Sequence, residues 1–208
     1  MEHVLVAAGV SFAALFPIVD PVGNVASFLA LTKGRDSPWR RRQALKAGVT
    51  AAIMLIVFLV VGHSVLSFFG VSLAAVEVVG GLVIAYTGWE MTIRGSAVGS
   101  AEAPSDDDEV FFHPLAFPLL AGPGALSVVL GLSNRNDSLL DFPGFAIGIV
   151  GISLVAIGAM ALATPITRFL GAKGIEVLTR VMGLFVLAIA AELVLHGIAD
   201  HFALETVD

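Results

Sequence analysis

Phe16-Pro17-Ile18-Val19-Asp20-Pro21-Val22-Gly23-Asn24 interrupts a segment that is otherwise apolar from Val4 to Leu31. A run of that length reads as a membrane-spanning helix. Each proline, however, removes a backbone donor and crowds the preceding turn, so this helix has to break near its centre. Irregular backbone at membrane depth is tolerated where it is buried in protein or lines a cavity, which makes the break a candidate site.

The rest of the chain fits that reading. Of its 208 residues 57% are hydrophobic and only 13% charged, and the mean hydropathy is +0.95. Soluble domains carry about twice that share of charge. The expected class is an all-α membrane protein forming a single domain over residues 1–208. With no cysteine, disulfide and thiol chemistry are excluded. A cleavable signal peptide is not expected, because Met1-Glu2-His3 lacks a basic start. The net charge of −6 comes largely from residues 102–109 and the C-terminus. The lipid bilayer, and not nucleic acid, is the expected partner.

Periodicity and breakers place helices over residues 4–32 (broken), 44–69, 71–93, 112–133 (broken), 142–170 and 175–199. Lys33, Arg35, Arg40, Arg41, Arg42, Lys46, Arg94, Arg168 and Lys173 then fall on one side, against Arg135 on the other. Positive charge marks the cytoplasmic side, so both termini are expected outside. If the broken segments were re-entrant hairpins, that asymmetry would weaken. Two half-helices also supply roughly 35 Å at about 1.5 Å per residue, enough to cross.

Phe16-Pro17 recurs as Phe117-Pro118, Leu31-Thr32 as Leu132-Ser133, and Phe68-Phe69-Gly70 as Phe169-Leu170-Gly171, all shifted by 101. Gly81-Leu82 recurs as Gly183-Leu184 and Glu90 as Glu192, shifted by 102. These matches describe two copies of a three-helix unit, about 4–94 and about 111–200, joined by an acidic linker at about 95–110. Three is odd, so the second copy enters from the opposite side: six helices as two inverted three-helix repeats, with helices 1 and 4 broken. Matching breaks, Pro17 to Asn24 and Pro118 to Gly124, are where a transporter of this kind holds its substrate.

Asp20 is the sharpest candidate, because a carboxylate near the bilayer centre costs about 2.5–3.5 kcal/mol on insertion scales and tends to face a cavity. The bland reading is that it caps the half-helix starting near Pro21. Asn24 adds donors and an acceptor at the same break. The second break, Ala121-Gly122-Pro123-Gly124, has no carboxylate. Freed N–H groups at both half-helix starts carry partial positive charge, so a small zwitterion suits the pair, its carboxylate on exposed amides and its ammonium facing Asp20 or backbone carbonyls. Glu90 and Glu192 are weaker candidates for coupling transport to an ion, H+ or Na+. Glu77 and His63 are set lower, as residues near the outer surface, and Arg180 as a side chain snorkelling to the interface. Glu192, His196 and Asp200 share one helical face, read as solvated more readily than as a metal site. Asn136-Asp137-Ser138 is a weak glycosylation match. Gly144 and Gly148 make helix five a packing element or a homodimer face. No HExxH, GxSxG or P-loop is present, so no catalytic residue, metal or cofactor is assigned and the chain is not expected to be an enzyme.

Asp20-Pro21-Val22-Gly23-Asn24, the run from Leu115 to Gly124, Gly80-Gly81 and Thr179-Arg180-Val181-Met182-Gly183 together resemble the MarC/SnatA family over nearly the whole chain. The resemblance implies a six-helix inner-membrane protein, some members of which transport small neutral amino acids of the glycine, alanine and serine class. It also implies substrate-binding roles for Asp20, Pro21, Gly23, Asn24, Gly122, Pro123 and Gly124. The chain departs from the family at Glu77, where relatives often carry a basic residue, so no role is carried onto that position.

Overall fold

A computed structural model describes residues 2–95, 110–134 and 141–202. The acidic linker, Arg135 and the Asn136-Asp137-Ser138 match lie outside them. The described residues are helical throughout: α1 Glu2–Val19, α2 Gly23–Leu31, α3 Ser37–Phe69, α4 Leu73–Arg94, a loosely wound segment Phe111–Leu120, α5 Pro123–Asn134, α6 Phe142–Ala161 and α7 Ala163–Phe202. Four of these, α3, α4, α6 and α7, are long and apolar enough to cross a membrane singly. The two expected breaks are both present. α1 meets α2 at a bend of 53°, and Phe111–Leu120 meets α5 at 56°.

Local chemistry explains the ends. Asp36 accepts a hydrogen bond from the Trp39 amide and Pro38 follows it, which starts α3 seven residues before the expected Ala44 and takes in Arg40, Arg41 and Arg42. At about 1.5 Å per residue its 33 residues exceed the roughly 30 Å hydrocarbon core, leaving room for those arginines in water. Gly70 and Gly95 close α3 and α4 at φ 66°, a left-handed conformation that an L side chain resists. The winding of Phe111–Leu120 is loose because His113 and Phe117 are extended, each preceding a proline whose ring disfavours helix at that position. Its backbone bonds therefore reach five residues back, from Leu115 to Val110 and from Ala121 to Ala116.

One boundary differs from the sequence reading. The expected fifth helix, 142–170, ends at Ala161, and α7 begins at Ala163 with Pro165 in its first turn, where a missing N–H costs little. α7 kinks at Gly171, so residues 163–170 form a piece of their own.

The contacts trace the path of each bent pair. Near the start of α1, Val4 and Ala7 lie against Gly144 at the beginning of α6. At the other end, Arg40 and Arg41 share a surface cleft with Met160, Thr164 and Pro165, where α6 passes into α7. Lys46 sits over the Phe111 ring, whereas Gly131 approaches Glu77 near the start of α4. Gly144 and Gly148 are used inside the chain: a Cβ at either would overlap α1 backbone or Ser11. A homodimer through α6 would have to use its exposed Ile147, Val150 and Leu154 instead.

α4 and α7 pack most closely. A Cβ on Gly88 would stand 3.0 Å from the Gly183 carbonyl oxygen, and one on Gly183 would stand 2.9 Å from that of Gly88. A Cβ on Gly81 would stand 2.8 Å from the Ala190 carbonyl oxygen. Without a hydrophobic drive between helices in lipid, backbone approach of this kind supplies the association. Gly183→Leu is therefore expected to destabilise the protein by about 1–3 kcal/mol in micelle unfolding experiments, the usual cost of overpacking. Gly158→Ala, which meets nothing within 4 Å, should be neutral or slightly stabilising. Equal losses would show that the α4–α7 contact is not limiting.

Candidate functional site

Two buried features flank the breaks, and the candidate residues divide between them. At the first break Asp20 takes a positive φ of 40°, a strained backbone for a non-glycine residue. Its Oδ1 accepts a hydrogen bond from the Gly23 amide at 3.1 Å. The capping role expected of Asp20 is thereby filled by one oxygen alone. Asn24 Nδ2 donates to the Val19 carbonyl at 2.7 Å, which closes the turn and fixes the direction of Oδ1. Both side chains are 2% exposed.

The other wall of this feature comes from α7. Thr179, 1% exposed, lies beside the Asp20 carboxylate, within electrostatic reach of it but outside hydrogen-bond geometry. A Cβ on Gly23 would overlap Asp20 Oδ2 and stand 2.6 Å from Thr179 Oγ1, so both oxygens crowd one point that only a glycine leaves open. Asp20 Oδ2, Asn24 Oδ1 and Thr179 Oγ1 are all buried without a hydrogen-bond partner.

At the second break a cavity of about 240 Å³ is lined by Ile18, Thr87, Pro118, Gly122, Pro123 and Gly124 among others. Pro123 has no N–H, and the first amides of a helix have no intrahelical acceptor, so Gly124 and Ala125 at the start of α5 bring donors to this wall. Thr87 Oγ1 donates to the Val83 carbonyl at 3.1 Å and keeps its lone pairs for a ligand. Asp20, Pro21, Gly23 and Asn24 are not on the cavity wall. Ile18 is the link, because a Cβ on Gly124 would stand 3.6 Å from its Cγ2.

The coupling candidates are placed differently from one another. Glu90 pairs with Arg94 at 3.1 Å on the flank of α4. Glu192 pairs with His196 at 2.9 Å and lines a second cavity, of about 200 Å³, with Glu77. Glu77, near the start of α4, is only 1% exposed, so it is packed inside the bundle. His63 is exposed along α3. Arg180 pairs with Glu176 at 2.8 Å and donates to the Thr92 carbonyl at 3.3 Å, joining α7 to the end of α4.

Thr179 entered the sequence reading only within a family motif, and Glu77 only as a lesser candidate. One signal connected them: the 102-residue shift that pairs Gly81 with Gly183 also pairs Glu77 with Thr179.

The family model described as MarC family integral membrane protein matches residues 5–202. The inner membrane protein MarC of Citrobacter koseri is 29% identical, with 96% of this chain and 97% of that protein covered. A membrane protein of Archaeoglobus fulgidus is 31% identical over 91% of both chains. The membrane protein YhcE of Escherichia coli is 31% identical, with 92% of this chain and 91% of that protein covered. No solved structure matches significantly. On the extent of these matches, the chain belongs to the MarC family of integral membrane proteins.

Proposed function

We propose that this protein is a secondary transporter that carries small neutral amino acids, of the glycine, alanine and serine class, across the cytoplasmic membrane by alternating access. The observation that carries the proposal is the cavity at the second break. Its volume of about 240 Å³ lies below the roughly 300–1,000 Å³ of sites for drug-sized ligands. Its wall combines glycine and proline backbone with the amide donors of α5. A substrate carboxylate rests on those donors and the positive end of the helix dipole. The ammonium group is received by backbone carbonyls and the Thr87 hydroxyl. Broader efflux of hydrophobic compounds would need a larger space.

Six crossings as two inverted repeats form part of the same proposal. In its support, both bent pairs run the length of the bundle, and α3, α4 and α7 bring Arg40, Arg94 and Arg168 to one end, the cytoplasmic end by the positive-inside rule. That puts both termini outside. The close contacts of α4 and α7 also exchange under the repeat. Gly88 against Gly183 maps onto Ala190 against Gly81, and Ala74 against Gly197 maps onto Glu176 against Gly95.

A departure from that symmetry supports alternating access. Gly124 rests on Ile84, whose repeat counterpart is Val186; Gly23, the counterpart of Gly124, rests on Thr179, seven residues earlier in α7. Seven residues correspond to about 10 Å of helix. The two halves thus hold different conformations, and exchanging them moves access from one side of the membrane to the other.

Liposomes containing the purified protein should show counterflow of labelled glycine, alanine or serine; no counterflow of any of them between pH 5 and 8 would sink the substrate class. Thr87→Val should raise the half-saturation concentration roughly tenfold, the loss of about one hydrogen bond. His63→Ala, on an exposed side chain, should leave uptake unchanged, and an effect as large as that of Thr87→Val would move the site elsewhere.

A further inference from the structure

We propose that Asp20, Asn24 and Thr179 form a binding site for a monovalent cation of sodium's size, separate from the cavity assigned to the substrate. The proposal rests on the transport reading only for its purpose, since the site itself is defined by buried atoms. Three oxygens of three chemical kinds, Asp20 Oδ2, Asn24 Oδ1 and Thr179 Oγ1, are buried with no hydrogen-bond partner. Orphaned acceptors at this depth are costly, and a carboxylate most of all, so a native structure provides something for them to bind. Carboxylate, amide carbonyl and hydroxyl oxygens are the ligands preferred by hard cations.

Geometry and charge narrow the class. Asp20 Oδ2 and Thr179 Oγ1 crowd the single point above Gly23 where no side chain stands, so the space suits a bare ion more than an organic ammonium. The Asn24 amide is held with Nδ2 on the Val19 carbonyl, which leaves its oxygen, and not its nitrogen, available to a ligand. The cluster contains one carboxylate, which a single positive charge neutralises. A divalent ion would leave net charge in an apolar interior.

The placement gives the ion a role. Asp20 and Asn24 belong to the break of the first half, and Thr179 belongs to α7 of the second. An ion bound to all three ties α2 to α7 at the register this structure holds. In the other half the counterparts are Ala121, Ala125 and Glu77, and Gly124 rests on Ile84 instead of Glu77. Ion occupancy therefore favours one of the two arrangements, which is how an ion gradient is coupled to alternating access.

The test is equilibrium binding of labelled sodium to the full-length protein in detergent, at fixed pH and ionic strength, with choline as the balancing cation. Wild type should bind sodium saturably. Thr179→Val, which keeps the side-chain shape, should weaken binding at least as much as the roughly 10–100-fold seen when a metal site loses a supporting group. Thr179→Ser should restore it, and Asp20→Asn should abolish it, all measured on the monodisperse fraction. Absence of saturable binding in wild type, or unchanged affinity in Thr179→Val, overturns the proposal, as does displacement of sodium by glycine in simple competition, which would make the oxygens the ammonium pocket. Glycine counterflow without sodium binding would overturn the ion site and leave the transport reading standing; sodium binding without counterflow of any amino acid would do the reverse.

Discussion

A helix broken inside hydrocarbon leaves backbone groups that no water can take, and the placement of this protein's functional groups follows from how those groups are satisfied. At the first break the chain answers with side chains: Asp20 accepts from Gly23, and Asn24 donates to Val19. At the second it answers with backbone, through the long-reaching bonds of Phe111–Leu120 and the proline that starts α5 without a donor to lose. The two solutions have different by-products. The first leaves the Asp20 carboxylate beside Thr179 of α7, and the second leaves a small cavity lined by Gly122, Pro123 and Gly124.

These features stay in register because α4 and α7 are held backbone to backbone. Gly81, Gly88 and Gly183 let the two helices approach within the reach of a single Cβ. α2 then packs on α7 and α5 on α4, so the central pair sets the position of both half-helices.

How far the sequence exposed this depends on the range of the interactions. The membrane class and the positions of both breaks followed from the apolar runs and from Pro17, Pro21 and Pro123, whose effects are local. α3 starts seven residues before the expected position because Asp36 caps it by accepting from the Trp39 amide. The end of α6 was missed because Pro165 sits in a run that remains apolar on both sides. Gly122 to Gly124 line a cavity, whereas Asp20 lies beside Thr179, a neighbour that no local pattern identified. The burial of Glu77 against α5 and α7 was likewise not legible from its place along α4.

The sequence by itself determined that this protein lives in a membrane, that two of its helical segments break at proline and glycine, and that it belongs with the MarC family. All of these rest on composition, proline and glycine chemistry, and repeated spacing. Only the tertiary structure decided that Asp20 meets Thr179 and that the second break, not the first, holds the open cavity. The physical reason is that helix faces are matched by close packing between segments far apart in the chain. A shift of two turns along α7 keeps the same face toward α2 and leaves every local preference unchanged, while replacing one facing residue by another.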